Sequence, residues 1–68
     1  MKIKYSRDAD VLIIHLRTGK LWDSRDLAEG IIVHLNRSGQ PLQIEILDAS
    51  RTVEEKQIEV SMEPLFAK

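Results

Sequence analysis

The sequence predicts an α+β domain that is mainly β: an antiparallel four-stranded meander, a short helical turn and a C-terminal fifth strand. Three observations predict it. Apolar and polar residues alternate with period two in short runs. Clusters of turn-forming residues separate those runs. Two of the turns, applied independently, bring apolar residues opposite apolar residues when their flanking strands are laid antiparallel.

The first strand, about residues 2–6, places Ile3 and Tyr5 on one face. The second, about 11–17, places Leu12, Ile14 and Leu16 on the same face. Arg7, Asp8, Ala9 and Asp10 connect them, with short polar side chains suited to bonding their own backbone. This turn sets Tyr5 opposite Leu12 and Ile3 opposite Ile14. The third strand, about 31–36, and the fourth, about 42–47, are joined by Arg37, Ser38, Gly39 and Gln40, where Gly39 supplies a positive φ. That turn sets Leu35 opposite Leu42, Val33 opposite Ile44 and Ile31 opposite Ile46. The stretch from Thr18 to Gly30 is expected as a long connection, with a helical turn starting at Asp23 or Ser24 and with Leu21, Trp22 and Leu27 folding back on the sheet. After Asp48, Thr52 and Glu55 have the spacing of a capping box, and Gln57 to Glu63 then alternates, with Ile58, Val60 and Met62 on one side. The expectation is a short helical turn and a fifth strand over about 57–63, stopped near Pro64. The alternative is a single C-terminal helix over 52–62.

With 68 residues, the chain forms one domain, residues 1–68, because a second core could not be filled. A fold of this size commonly needs reinforcement from disulfides, a metal or self-association. Cysteine is absent, which removes the first and fits a reducing, cytoplasmic setting. Ten Lys and Arg against eleven Asp and Glu give a net charge of −1, so no overall field draws the chain to nucleic acid or an anionic membrane. The opening Lys2, Ile3, Lys4, Tyr5 lacks the form of a signal peptide, and the longest apolar run, Val11 to Ile14, is far too short to span a bilayer.

The core-facing set is Ile3, Tyr5, Leu12, Ile14, Leu16, Ile31, Val33, Leu35, Leu42, Ile44 and Ile46. The opposite face carries Val11, Ile13, Ile32 and Leu47 among His15, Arg17, His34, Gln43 and Glu45. One sheet cannot cover two apolar faces, and a chain this short supplies one cover at best, so a homodimer is expected, with Val11, Ile13, Ile32, Leu47, Trp22, Ile58, Val60 and Met62 as its interface.

Chemistry is sparse. His15 and His34 share the second face of neighbouring strands and one register sets them opposite, so with Glu45 they are the candidate metal or small-ligand set. Solvated or interface histidines are the competing reading, and no metal or cofactor is assigned. The loop carboxylates Asp8, Asp10, Asp23, Asp26, Glu29 and Asp48 lack ion-binding spacing, and turn or cap roles fit them better. No serine lies in a G-x-S-x-G elbow and no glycine pattern cradles phosphate, so no catalytic residue is assigned and no enzyme is expected. Lys2, Lys4 and Arg17 form a modest basic strip, better read as protection of a sheet edge than as a nucleic-acid site.

The opening M-K-I-K-Y-S-R-D-A-D-V-L-I-I-H-L, the G-I-I-V-H-L-N-R-S-G-Q-P-L turn and above all I-E-I-L-D-A-S, Ile44 to Ser50, resemble a widespread prokaryotic family known as domain of unknown function 2283. The likeness covers roughly residues 1–51. It implies a small domain with no assigned activity, catalytic set or cofactor, and an antitoxin-like, protein-neutralising role as one hypothesis. His34 and Asn36 stand where acidic residues are more usual in that family, so an acidic binding surface is not expected on that strand here. The function expected is therefore a protein-interaction and oligomerisation domain, the alternative a small-ligand or metal-binding domain using the face of His15, His34 and Glu45.

Overall fold

The computed structural model describes residues 1–54 and Gln57. The chain forms β1 (Lys2–Ser6), β2 (Val11–His15), β3 (Asp23–Ala28), β4 (Ile31–Leu35), β5 (Pro41–Leu47) and a single helical turn, α1 (Ala49–Thr52). All strands join one antiparallel sheet in the order β1-β2-β5-β4-β3.

The four strands expected from alternation lie where alternation placed them, within one or two residues. β2 stops at His15 rather than at residue 17, because the Leu16 and Arg17 N–H groups both turn onto the Leu42 carbonyl, at 2.8 and 3.1 Å. The path between the strands departs from a simple meander in one respect: β5 lies between β2 and β4. The connection from Leu16 to Trp22 crosses the sheet end, and this lets the apolar β5 take the centre, where both its edges are paired.

The first hairpin has the expected register, Ile3 opposite Ile14 and Tyr5 opposite Leu12. In the second, Val33 meets Ile44 and Ile31 meets Ile46, but Leu35 meets Pro41 rather than Leu42 across a register shift. Proline has no N–H to give the ladder, and the strand absorbs it with an irregularity at its first residue. Gly39 has φ of 83°, the conformation the turn requires of it.

The segment expected as a helical turn is instead β3, an edge strand exposed along its whole length. Leu21, Trp22 and Leu27 do not fold back and are 56, 63 and 61% exposed. The strand forms because Gly30, at φ 77°, closes a tight turn after Glu29 and delivers β3 to the free edge of β4. Backbone pairing, not side-chain burial, holds it.

Among the described residues Val33, Leu42, Ile46 and Ala49 are buried, so the core lies under β4, β5 and α1. Tyr5, expected inside, is 51% exposed, and Ile3 and Leu16 are each 40% exposed. Ile3 and Tyr5 belong to an outer strand with a neighbour on one side alone, and Leu16 lies beyond the end of β2. The helix runs over Ala49–Thr52 and stops at Val53, whose φ of −117° and ψ of 131° are extended. Thr52 therefore ends a helix rather than starting one, which rules out a continuous helix through Val53. Past it, the Gln57 N–H donates to the Glu54 carbonyl at 2.8 Å. The expected strand over 57–63, with Ile58, Val60 and Met62, otherwise lies outside the described residues, as does Glu55.

Candidate functional site

Period-two geometry sorts the sheet residues into rows, because partners across strands share a face and stand about 5 Å apart. One row runs across all five strands on the second face: Lys2, His15, Gln43, His34 and Ser24. The next row on that face is Lys4, Ile13, Glu45, Ile32 and Asp26, and beyond it Val11 faces Leu47. The face is thus divided along the strands into a polar end and an apolar end.

His15 and His34 are not opposite one another as one register allowed. Both are partners of Gln43, on opposite sides of β5. The cause is topological: β5, not β4, is the neighbour of β2. His34 does meet Glu45, with Nε2 at 2.9 Å from the carboxylate oxygen, and its other nitrogen, Nδ1, lies 2.7 Å from the Ser24 hydroxyl. An ionised carboxylate only accepts, so neutral His34 carries its hydrogen on Nε2 and accepts the Ser24 O–H at Nδ1. Among the described residues no three His, Cys, Asp or Glu side chains converge in the manner of a metal site, and the set His15, His34, Glu45 is not brought together.

Ser24 was not foreseen as a site residue. Its signal was hidden, since nothing in a polar stretch of sequence announces a strand whose second residue faces His34. Hydroxyl, imidazole and carboxylate in series form the relay used to activate serine nucleophiles. The Ser24 N–H donates to the Asp23 carboxylate at 2.8 Å, which sets negative charge beside the hydroxyl. The series locks the His34 ring and ties the edge strand β3 to the central β5.

The polar end of the face borders a groove of about 760 Å³. The end row forms one wall, through Lys2, His15, Gln43 and His34, and the crossing connection forms the other, through Arg17, Thr18 and Leu21. Arg17 leaves the strand but stays beside Lys2 on this groove, while Lys4 lies one row away.

At the apolar end, Val11, Ile13, Ile32 and Leu47 are half-buried and contiguous. Trp22, expected to join them, stands apart in the connection before β3, its ring under the Arg37 guanidinium at 5.1 Å. Exposed aromatic surface there is occupied by a cation rather than by the sheet.

A third cluster explains the I-E-I-L-D-A-S stretch. Asp10 and Asp48 both adopt positive φ, 54° and 48°. The Asp10 carbonyl accepts from the Ala49 N–H at 2.9 Å, and its carboxylate receives the Ser50 N–H at 3.0 Å and the Ser50 hydroxyl at 2.7 Å. The Tyr5 hydroxyl donates to the same carboxylate at 2.8 Å. The first turn is thereby clasped to the helix that follows the last strand. These donors, Ser50 first and then Tyr5, hold the Asp10 carboxyl below its ordinary value of 3.8. The cluster is structural, and it contains the most specific motif of the sequence.

Among the described residues no helix is long and apolar enough to cross a membrane. No curated protein and no solved structure matches the chain. The family model described as protein of unknown function (DUF2283) matches residues 2–50, from β1 through the Asp10–Ser50 clasp, and the chain belongs to that family.

Proposed function

We propose that the domain is a non-catalytic protein-interaction module that pairs with a second copy of itself through the apolar end of its second face. One observation carries this reading: the row Lys4, Ile13, Glu45, Ile32, Asp26, backed by Val11 and Leu47. Aliphatic side chains on a face gain burial free energy when a second layer covers them, at about 25 cal/mol per Å² removed from water. The row is also complementary to its own reverse at four of its five positions, the fifth being Glu45, which comes over the partner's Glu45. When a second copy is turned over so that Ile13 meets the partner's Ile32, Lys4 comes over the partner's Asp26 and Asp26 over the partner's Lys4. Both contacts are made at once, as a two-fold interface requires. Glu45, near the axis, has its carboxylate drawn toward His34.

Sedimentation equilibrium tests the proposal. The wild-type chain is expected as a dimer, and Ile32→Glu as a folded monomer with the β-sheet circular dichroism of the parent. A wild-type protein that stays monomeric at high micromolar concentration ends this reading.

A further inference from the structure

We propose that the groove at the polar end of the second face binds a small organic oxyanion, a phosphate- or polycarboxylate-bearing molecule. The charge of the chain is nearly balanced at −1, yet the groove is not. Lys2 and Arg17 line it, together with the imidazoles of His15 and His34, and among the described residues no carboxylate side chain does. Asp23 and Asp26 lie on β3, Glu29 in the turn after it, and Asp8 and Asp10 in the first turn, while Glu45, in the next row, reaches the groove wall only through its contact with the His34 ring at 2.9 Å. Segregation of that kind focuses a positive potential on one concave surface.

The donors are also uncommitted. Among the described residues, the side chains of Lys2, His15, Arg17, Thr18 and Gln43 make no hydrogen bond or ion pair with another part of the chain. Elsewhere on this sheet polar groups in reach of one another do pair, as Ser24, His34 and Glu45 show. Here cation repels cation, and what would satisfy all of them is a negatively charged hydrogen-bond acceptor from outside. Arg17 offers a planar fork that matches two oxygens of a phosphate or carboxylate, Lys2 a mobile point charge. His15 and Gln43 stand side by side between Lys2 and His34 and line the same groove. His34 has both ring nitrogens engaged, so it contributes a rigid wall rather than a donor. A volume of about 760 Å³ falls within the roughly 300–1,000 Å³ of small-molecule sites, and Leu16, Leu21 and Leu42 add apolar lining for the body of an organic ligand.

The groove lies at the strand ends, beneath the crossing connection, and its wall is the row next to the one proposed for dimerisation, so ligand affinity and mass in solution are read as two separate measurements. The test titrates the full chain with inorganic pyrophosphate in one arm and citrate in the other, following amide and side-chain resonances and measuring mass in solution alongside. Saturable shifts confined to His15, Thr18, Gln43 and their neighbours are expected in at least one arm, and the responding arm names the ligand chemistry. The double variant Lys2→Gln/Arg17→Gln is expected to lose affinity tenfold or more while keeping the wild-type spectrum and mass. Arg37→Gln, which removes a cation outside the groove, is expected to bind as the parent does. The proposal is overturned by the absence of saturable shifts in both arms, by unchanged affinity in the double variant, or by an equal loss in Arg37→Gln.

Discussion

Two aspartates in left-handed conformation and one accepting carboxylate link the first turn to the end of the last strand, so Asp10 is the residue at which pH should act on stability. Its carboxyl is held below 3.8 by the Ser50 and Tyr5 hydroxyls, hence folding favours the ionised form. The sign follows: this contribution is fully present above 3.8, the value in the unfolded chain, and is lost as pH falls through the lower folded value. Asp10→Asn should be less stable than the parent at neutral pH, with the gap narrowing below pH 3.8, as measured by urea midpoints across the acid range. Parallel curves for the two proteins would remove Asp10 from the acid response. Glycine acts at the same scale through conformation rather than charge. A Cβ on Gly30 would stand 3.6 Å from the Leu47 carbonyl oxygen, an ordinary contact, and one on Gly39 would meet nothing within 4 Å. Steric clash is therefore absent at both, and what Gly30→Ala and Gly39→Ala should each cost is the left-handed backbone itself, about 1–2 kcal/mol. Denaturant unfolding of the two variants checks this, and a neutral result at either would mean the turn relaxes to negative φ.

At the scale of elements, what the sequence reveals depends on whether a strand is held by its side chains or by its neighbours. β1 and β5 announce themselves because Ile3 and Ile44 alternate with polar residues, β2 and β4 because short apolar runs around Leu12 and Val33 are bounded by turn residues, and two tight turns then fix their partners. β3 carries Asp23, Ser24, Arg25 and Asp26, residues that are poor strand formers, and it buries none of them. The readable signal was the Glu29–Gly30 pair immediately before Ile31, a hairpin cue that the polar run obscured. The order of strands was hidden for another reason: the edge of β4 that β2 would take in a simple meander is held by β3, so the choice of β5 as the neighbour of β2 depends on a strand that no alternation announces. That choice separates His15 from His34 and brings Gln43 between them, so the candidate site was only partly legible. The contact of His34 with Glu45 followed from the second hairpin, whereas Ser24 needed β3. The same distinction sets the energetics of the polar series. With 17% of the His34 side chain and 27% of the Glu45 side chain exposed, His34→Ala strips a half-buried carboxylate of its donor, at about 1–3 kcal/mol. Ser24→Ala removes an exposed hydroxyl and should change stability by no more than about 0.5 kcal/mol. Thermal unfolding distinguishes them, and a Ser24→Ala cost equal to that of His34→Ala would show that the side-chain tie, not the backbone ladder, keeps β3 on the sheet.

For the whole molecule the question is how the five-stranded sheet of a 68-residue chain settles both of its faces. The described residues bury four apolar side chains, all under β4, β5 and α1, and leave Val11, Ile13, Ile32 and Leu47 on the second face half-buried. Charge at the ends of the row through Glu45 gives a way to ask whether a second copy covers them. If a second copy lies over it, Lys4→Asp sets a new carboxylate against the partner's Asp26, twice by symmetry, and Asp26→Lys sets lysine against lysine, also twice. An exposed pair is worth about 0.2–1 kcal/mol, so two such pairs place the weakening of the dimer at roughly fivefold for either single reversal. The double reversal Lys4→Asp/Asp26→Lys exchanges the signs and restores both contacts, and its dissociation constant should return to that of the parent. Raising the salt should shrink all three differences together, because these groups sit at the exposed edges of β1 and β3. Restoration by the second change is what net charge or lost stability cannot imitate: the double variant has the charge of the parent, but so would any pair of compensating reversals placed elsewhere. A control swap of Arg7 and Asp8, in the first turn and away from the row, should therefore leave association unchanged. Should the double reversal associate no better than the single ones, Lys4 does not meet the partner's Asp26, and the sheet is covered in some other orientation.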